Sequence, residues 1–131
     1  MNNNFEKVKN YLLELEYSII SENKEEELFI VEKHNTGIVN MIIDCEEPII
    51  IFEQFLFEIK SDNMEIFKQL LIKNREIVHG AFALDKDGTK VLFRDTLQLE
   101  NLDLNEFQGT LNSLEMLLSE YATNLIEFSK K

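Results

Sequence analysis

The chain has 131 residues and a formal net charge of −12, and 44% of its residues are hydrophobic. This composition is typical of a folded chain long enough to bury a core, and we predict a single domain over residues 1–131. A chain that repels phosphate overall is unsuited to nonspecific nucleic-acid binding and to anionic membrane surfaces, so we expect neither as a partner.

The negative charge is concentrated in one part of the chain. Residues 14–58 contain twelve acidic and two basic residues, a net charge of −10, whereas the rest contains thirteen acidic and eleven basic residues, a net charge of −2. Two interpretations fit this asymmetry. The acidic segment forms a surface that attracts a basic partner or prevents self-association, or it forms an ordinary solvated face.

A single cysteine, Cys45, excludes an internal disulfide. The chain shows neither a signal peptide nor an apolar run of about 18 residues. We therefore expect a cytoplasmic protein.

The first half of the chain is predicted to form one helix and four strands. Apolar residues recur at helical spacing in residues 3–16 and predict an amphipathic helix there. Short apolar segments between polar turns then predict strands over residues 17–21, 27–33, 38–44 and 49–59.

The fourth strand is the most hydrophobic segment of the chain. Strict alternation places five apolar residues on one face: Ile49, Ile51, Phe55, Phe57 and Ile59. It places three on the other face: Ile50, Phe52 and Leu56. A strand that is apolar on both faces is covered on both sides or lies at an interface.

The middle helix is predicted over residues 62–76. Asp62 and Glu65 form a D-x-x-E start that resembles a capping box, which satisfies free amides in a first helical turn. The apolar arc of this helix is too wide for a helix with one solvated side. Either a second subunit covers part of the arc, or one or two of its apolar residues are simply exposed.

A β-hairpin is predicted over residues 79–99. It turns at Asp87-Gly88, a pair that suits the positive φ of a two-residue hairpin loop.

The final helix begins with a second D-x-x-E start, at Asp103 and Glu106. Its apolar stripe alternates spacings of three and four residues: Leu104, Phe107, Leu111, Leu114, Leu118, Tyr121, Leu125 and Phe128. We favour a helix that packs along its own sheet over a free coiled coil. The small residues Gly109 and Ser113, one turn apart, allow another backbone to approach this helix closely.

The predicted order is therefore α-β-β-β-β-α-β-β-α. Strands joined by short turns predict an α+β fold in which an antiparallel sheet of about six strands is flanked by three helices.

No motif indicates catalysis, a metal or a cofactor. Aligning Gly88 with the glycine of a calcium loop puts Ala83 and Arg94 at the first and last ligand positions, where carboxylates are needed. The two histidines show no zinc spacing with Cys45. A dyad of Cys45 and His79 is conceivable, but a lone cysteine among strand residues is more often a small core residue. We predict no catalytic residue, no metal, no cofactor and no enzymatic activity.

The segment from residue 67 to 107 resembles the YbjN and Tir-chaperone-like family, which shares the fold of type III secretion chaperones. The likeness rests on the pattern G-x-F-x-L-D-x-D-G followed by F-x-D-T-L: Gly80, Phe82, Leu84, Asp85, Asp87, Gly88, Phe93, Asp95, Thr96 and Leu97. The order of elements matches over the whole chain. One departure is the count of four strands before the middle helix, where a typical secretion chaperone has three.

The resemblance implies a small, acidic, cytoplasmic homodimer that binds another protein. Secretion chaperones of this fold hold an extended segment of their cargo against apolar patches and sheet edges, which amounts to strand addition plus side-chain pockets. In this fold group the middle helix and the adjacent strand commonly form the dimer.

We therefore expect a non-enzymatic module that holds a partner polypeptide against apolar sheet and helix surfaces as a homodimer. The alternative is a regulatory or scaffold domain that binds a small ligand, without chaperone activity. The candidate dimer or partner surface comprises eight apolar residues: Ile50, Phe52, Leu56, Ile66, Phe67, Leu70, Leu71 and Phe82.

Overall fold

The computed structural model describes residues 3–61 and 63–130. Its helices and strands follow the predicted order, with four strands before the middle helix, and the predicted α+β fold is confirmed. A 3₁₀ turn, Asn74–Glu76, follows the middle helix. The elements are α1 (Asn4–Glu14), β1 (Ser18–Asn23), β2 (Leu28–Lys33), β3 (Ile38–Glu46), β4 (Ile49–Glu58), α2 (Met64–Lys73), β5 (Ala81–Leu84), β6 (Lys90–Gln98) and α3 (Leu104–Lys130).

The six strands form one antiparallel sheet in the order β1-β2-β3-β4-β6-β5. Between β4 and β6 the chain leaves the sheet, passes through α2 and returns as β5. As a result β4 lies inside the sheet, paired with β3 and β6, while β1 and β5 form its two edges.

A β-bulge in β4 decides which of its side chains face the core. The register with β6 shifts between Phe55 and Phe57. Strict alternation had placed Phe57 on the face of Phe55, and this prediction is wrong, because the extra residue of a bulge turns the following side chains to the other face. Phe57 is buried on the same side as Ile50 and Phe52, while Phe55 is half exposed on the opposite side.

α3 packs through its apolar stripe along the sheet of its own chain, as predicted. The ring centroid of Phe107 lies 5.4 Å from that of Phe52, and the centroid of Phe128 lies 6.1 Å from that of Phe57. The predicted start is also confirmed, since the Asp103 carboxylate accepts a hydrogen bond of 2.8 Å from the amide of Glu106. The stripe is therefore occupied by the chain's own core.

α1 and α2 lie on the same face of the sheet as α3. Phe5 of α1 stacks on Phe29 of β2 with 4.4 Å between ring centroids. Ile66 and Leu70 of α2 belong to the same buried cluster. Within the described residues, no helix is both long and apolar enough to cross a membrane.

α2 starts and ends at other residues than predicted. Asn63 is its N-cap, and the Asn63 side chain accepts hydrogen bonds from the amides of Glu65 and Ile66. The predicted cap, Asp62, lies outside the described residues. The helix ends at Lys73 because the next three residues tighten into the 3₁₀ turn.

The loop between β5 and β6 is longer than predicted. The amide of Asp85 donates to the carbonyl of Lys90 at 3.1 Å, so residues 86–89 form the connection. The Asp85 carboxylate accepts hydrogen bonds from the amides of Lys90 and Thr89, which lower the pKa of that carboxyl. The predicted two-residue turn at Asp87-Gly88 is wrong, because only Gly88 of that pair has a positive φ, +72°.

Two glycines of this hairpin provide a matched test of the core. Gly80 has a φ of +83°, and a Cβ there would lie 2.5 Å from the Phe93 ring, whereas Gly88 has open space around it. We expect Gly80→Ala to lower the free energy of unfolding by about 3 kcal/mol or more, and Gly88→Ala by only about 1 kcal/mol. Urea denaturation followed by circular dichroism measures both, and equal losses would contradict the packing of Gly80 on Phe93.

Candidate partner-binding surfaces

The structure divides the eight predicted surface residues into buried and accessible ones. Five are buried in the chain's own core: Ile50, Phe52, Ile66, Leu70 and Phe82. Leu56 and Phe67 are partly buried against that core. Leu71 is 69% exposed. The last three residues therefore have most of the accessible surface in this set, while Leu70 and Phe82 keep only 5% and 7% of theirs.

An apolar groove lies between α2 and the edge strand β5. Its volume is about 250 Å³. We call it the α2–β5 groove, and it is lined by Phe67, Leu70, Leu71, Asn74, Phe82, Ala83, Leu84 and Val91. Met64, which precedes the groove residue Phe67 by about one turn of α2, is 84% exposed. The groove is an apolar surface at this edge of the sheet.

Contacts with α3 hold the end of α2 in place. The Lys73 ammonium lies 4.8 Å from the centroid of the Tyr121 ring. The Tyr121 hydroxyl donates a 2.8 Å hydrogen bond to the Glu76 carboxylate, and this bond raises the pKa of Tyr121 to about 12. Lys73 is the last residue of α2 and Glu76 the last residue of the 3₁₀ turn, so the segment between α2 and β5 is attached to α3 at two positions.

A second attachment lies just before β5. The Ser113 hydroxyl donates to the carbonyl of His79 at 2.7 Å and accepts from the His79 amide at 3.3 Å. A Cβ at Gly109 would lie 3.3 Å from the His79 ring, so the ring rests on the helix backbone. The predicted approach of another backbone is found at Ser113, whereas at Gly109 the close neighbour is the His79 ring.

The face of the sheet opposite the helices, the back face, carries partly exposed apolar side chains. Phe55, which is 52% exposed, pairs across the strands with Leu92 of β6. Ile42 of β3 pairs with Ile30 of β2. An ion pair between Arg94 and Glu53 lies on the same face between these two apolar pairs.

Sequence reasoning missed three residues of these surfaces for different reasons. Leu84 was not included in the predicted surface, although it lies two residues after Phe82 in β5 and alternation places both side chains on the same face. Phe55 was assigned to the same face as Phe57, because a bulge leaves no mark in the alternation of apolar residues. Asn74 resembles an ordinary polar residue at a helix end, and no signal in the sequence distinguished it.

Several carboxylates of the acidic segment lie near Asp44 in β3. One carboxylate oxygen of Asp44 is buried and finds no hydrogen-bond partner among the described residues. Burial raises the pKa of Asp44, and the neighbouring carboxylates of Glu46, Glu26 and Glu27 raise it further. In the described ranges, no three Asp, Glu, His or Cys side chains are placed to hold a metal ion.

Cys45 lies in a setting that opposes nucleophilic chemistry. The side chain is buried in β3, and burial, together with the charge of Glu27, raises the pKa of the thiol to about 12. Reactive cysteines have lowered pKa values and accessible sulfur atoms. Cys45 therefore acts as a small core residue.

The antiparallel sheet flanked by three helices is shared with type III secretion chaperones, and this chain has four strands before the middle helix. The chain belongs to the CesT_Tir_1 family, whose model matches residues 1–131. No curated protein sequence matches the chain significantly.

Three solved structures illustrate the shared fold. YbjN from E. coli, described as a putative transcription regulator, has a TM-score of 0.68 and 14% identity over 91% of each chain. A chain of the ExsC–ExsE complex has a TM-score of 0.67 and 20% identity over 95% of this chain and 97% of that one. The structure of the Yersinia pestis type III secretion chaperone SycH with a stable fragment of YscM2 has a TM-score of 0.55 and 16% identity, over 97% of this chain and 100% of that one.

Because the Asp44 carboxylate is buried, replacing it should stabilise the protein by an amount that depends on pH. Because the folded-state pKa of Asp44 is raised, its contribution favours folding at acidic pH and is lost as the pH rises through that pKa. We expect Asp44→Asn to increase the free energy of unfolding at pH 7 and to lose this advantage near pH 3. Glu25→Gln is the control, since it removes one exposed charge from the same segment. Urea titrations measure both variants at pH 7. If Asp44→Asn is no more stable than Glu25→Gln, then burying the ionised Asp44 carboxylate does not destabilise the fold.

Proposed function

We propose that this protein is a non-enzymatic, chaperone-like module that forms a homodimer and holds a partner polypeptide. The family membership supports this function, as do related folds that were solved together with partner proteins. The apolar α2–β5 groove with the exposed Leu71 beside it is the observation on which the proposal rests.

The α2–β5 groove suits contact with a second copy of the same chain. A two-fold interface requires that one surface carry both the protruding and the receiving groups. Leu71 protrudes from α2 with 69% of its surface exposed, and it also lines the groove. Both copies carry a net charge of −12, so apolar contacts of this kind must offset the repulsion between them.

The back face suits an extended polypeptide. Phe55 and Leu92 form one apolar pair and Ile42 and Ile30 form another, and a strand-like segment with alternating apolar side chains matches such spacing. The acidic segment at residues 14–58, which includes β3 and β4, favours a partner with basic side chains.

The alternative role, binding of a small ligand, would place that ligand in a groove beside α3. A second apolar groove, about 200 Å³ in volume, lies between residues 76–79 and α3, with Met116 and Leu117 among its lining residues. Ligand pockets usually enclose about 300–1,000 Å³. The size of this groove therefore supports a protein side chain as occupant better than a metabolite.

The dimer predicts a difference between two leucine variants. Wild-type protein should have twice the 15.4 kDa mass of one chain in light scattering at micromolar concentration. Leu71→Glu should raise the dimer dissociation constant by about 100-fold or more, because two carboxylates would enter one apolar interface. Leu13→Glu in α1 is the matched control, since Leu13 is 55% exposed on a helix that packs near β2, away from β5, and should leave the dimer intact.

A monomeric wild-type protein at that concentration would contradict the dimer. Equal dissociation constants for Leu71→Glu and Leu13→Glu would instead show that the interface lies elsewhere.

If the partner polypeptide binds the back face, a charge placed on that face should prevent binding, and a charge placed elsewhere should not. In affinity capture from lysate with mass spectrometry, Phe55→Lys should lose most of the protein that wild type retains, while Ile126→Lys should keep it. Ile126 is the matched control because it is 56% exposed on α3. Equal capture by both variants would contradict the back-face site. A metabolite that raises the melting temperature, with no protein captured by wild type, would favour the small-ligand role.

A further inference from the structure

The main chain of β5 presents two residues outward at the edge of the sheet. The Asp85 amide donates to the carbonyl of Lys90 in β6, which fixes the orientation of the strand. Amides of alternate residues in an antiparallel pair point to the same side. Those of Ala81 and Ala83 therefore point toward β6, and those of Phe82 and Leu84 point outward.

The side chain of Asn74 occupies the first of these outward positions. Its Oδ1 accepts a 2.8 Å hydrogen bond from the amide of Phe82, and its Nδ2 donates a 3.3 Å hydrogen bond to the carbonyl of Phe82. One amide group thus satisfies both outward main-chain groups of the residue, as a neighbouring strand would.

Asn74 is held in this position by its own backbone and by its neighbours. Its amide donates to the carbonyl of Leu70 at the end of α2, and its carbonyl accepts from the amide of Ile77 at 3.3 Å. Lys73 and Glu76, on either side, contact Tyr121 of α3. The backbone of Asn74 is therefore fixed beside the edge, within hydrogen-bond reach of Phe82.

We infer that Asn74 closes the β5 edge to strand pairing, so that a second copy of this chain docks at the α2–β5 groove through side chains alone. This inference rests on the proposed homodimer. β5 has four residues and only two outward positions. With Phe82 occupied, the single remaining position at Leu84 cannot form a ladder, which needs successive hydrogen-bonded pairs.

Residue-resolved hydrogen exchange in the Leu71→Glu variant tests the closed edge. We expect the Phe82 amide to exchange at least about tenfold more slowly than the Leu84 amide, because Asn74 accepts from Phe82 and the described residues offer no acceptor to the outward amide of Leu84. Adding Asn74→Ala should abolish this difference, while Asn105→Ala, an exposed asparagine of α3, should not. Equal exchange at Phe82 and Leu84 before Asn74 is changed would overturn the closed edge, and that comparison holds even if Asn74→Ala fails to fold.

The wild-type protein tests the docking mode. In a mixed sample of labelled and unlabelled wild-type protein, we expect no NOE between the Leu84 amide of one copy and an amide of the other, because no strand of the second copy pairs with it. Intermolecular amide-to-amide NOEs at Leu84 would show strand pairing and overturn the inference. If wild type and Leu71→Glu have the same mass, the proposed dimer fails, while the exchange difference between Phe82 and Leu84 still decides whether the edge is closed.

Discussion

The packing of α3 against β4 positions the rest of the molecule. Phe107 contacts Phe52 in the middle of the sheet, and Phe128 contacts Phe57 beyond the bulge. Without the extra residue of the bulge, Phe57 would face away from the helix, and the last turns of α3 would lose this contact. The bulge therefore extends the core along a helix of 27 residues.

This one-sided packing leaves two surfaces for interaction. All three helices cover the same face of the sheet, so Phe55 and its neighbours on the back face remain accessible. α2 contributes Ile66 and Leu70 to the core and presents Leu71 to the outside. Because Tyr121 of α3 holds the end of α2, the position of the α2–β5 groove depends on the same helix that fills the core.

The sequence predicted the features that arise from local periodicity and composition. The order of elements, the stripe of α3 and the start of that helix at Asp103 are visible as spacings, and the structure has them. The bulge depends on how β4 pairs with β6, and alternation alone cannot show it. Within the wide apolar arc of α2, the sequence does not distinguish Leu70 from Leu71, because only the placement of the helix on the sheet buries one and exposes the other.

The central claim is that the surface formed by α2 and β5 joins two copies of this chain. Intermolecular NOEs in a mixed sample, half isotope-labelled and half unlabelled, test it most directly, since they report only contacts between copies. We expect NOEs from the Leu71 methyl groups of one copy to Phe67 and Leu84 of the other. NOEs confined to Phe55 and Leu92 on the back face, or the absence of any intermolecular NOE, would contradict the account.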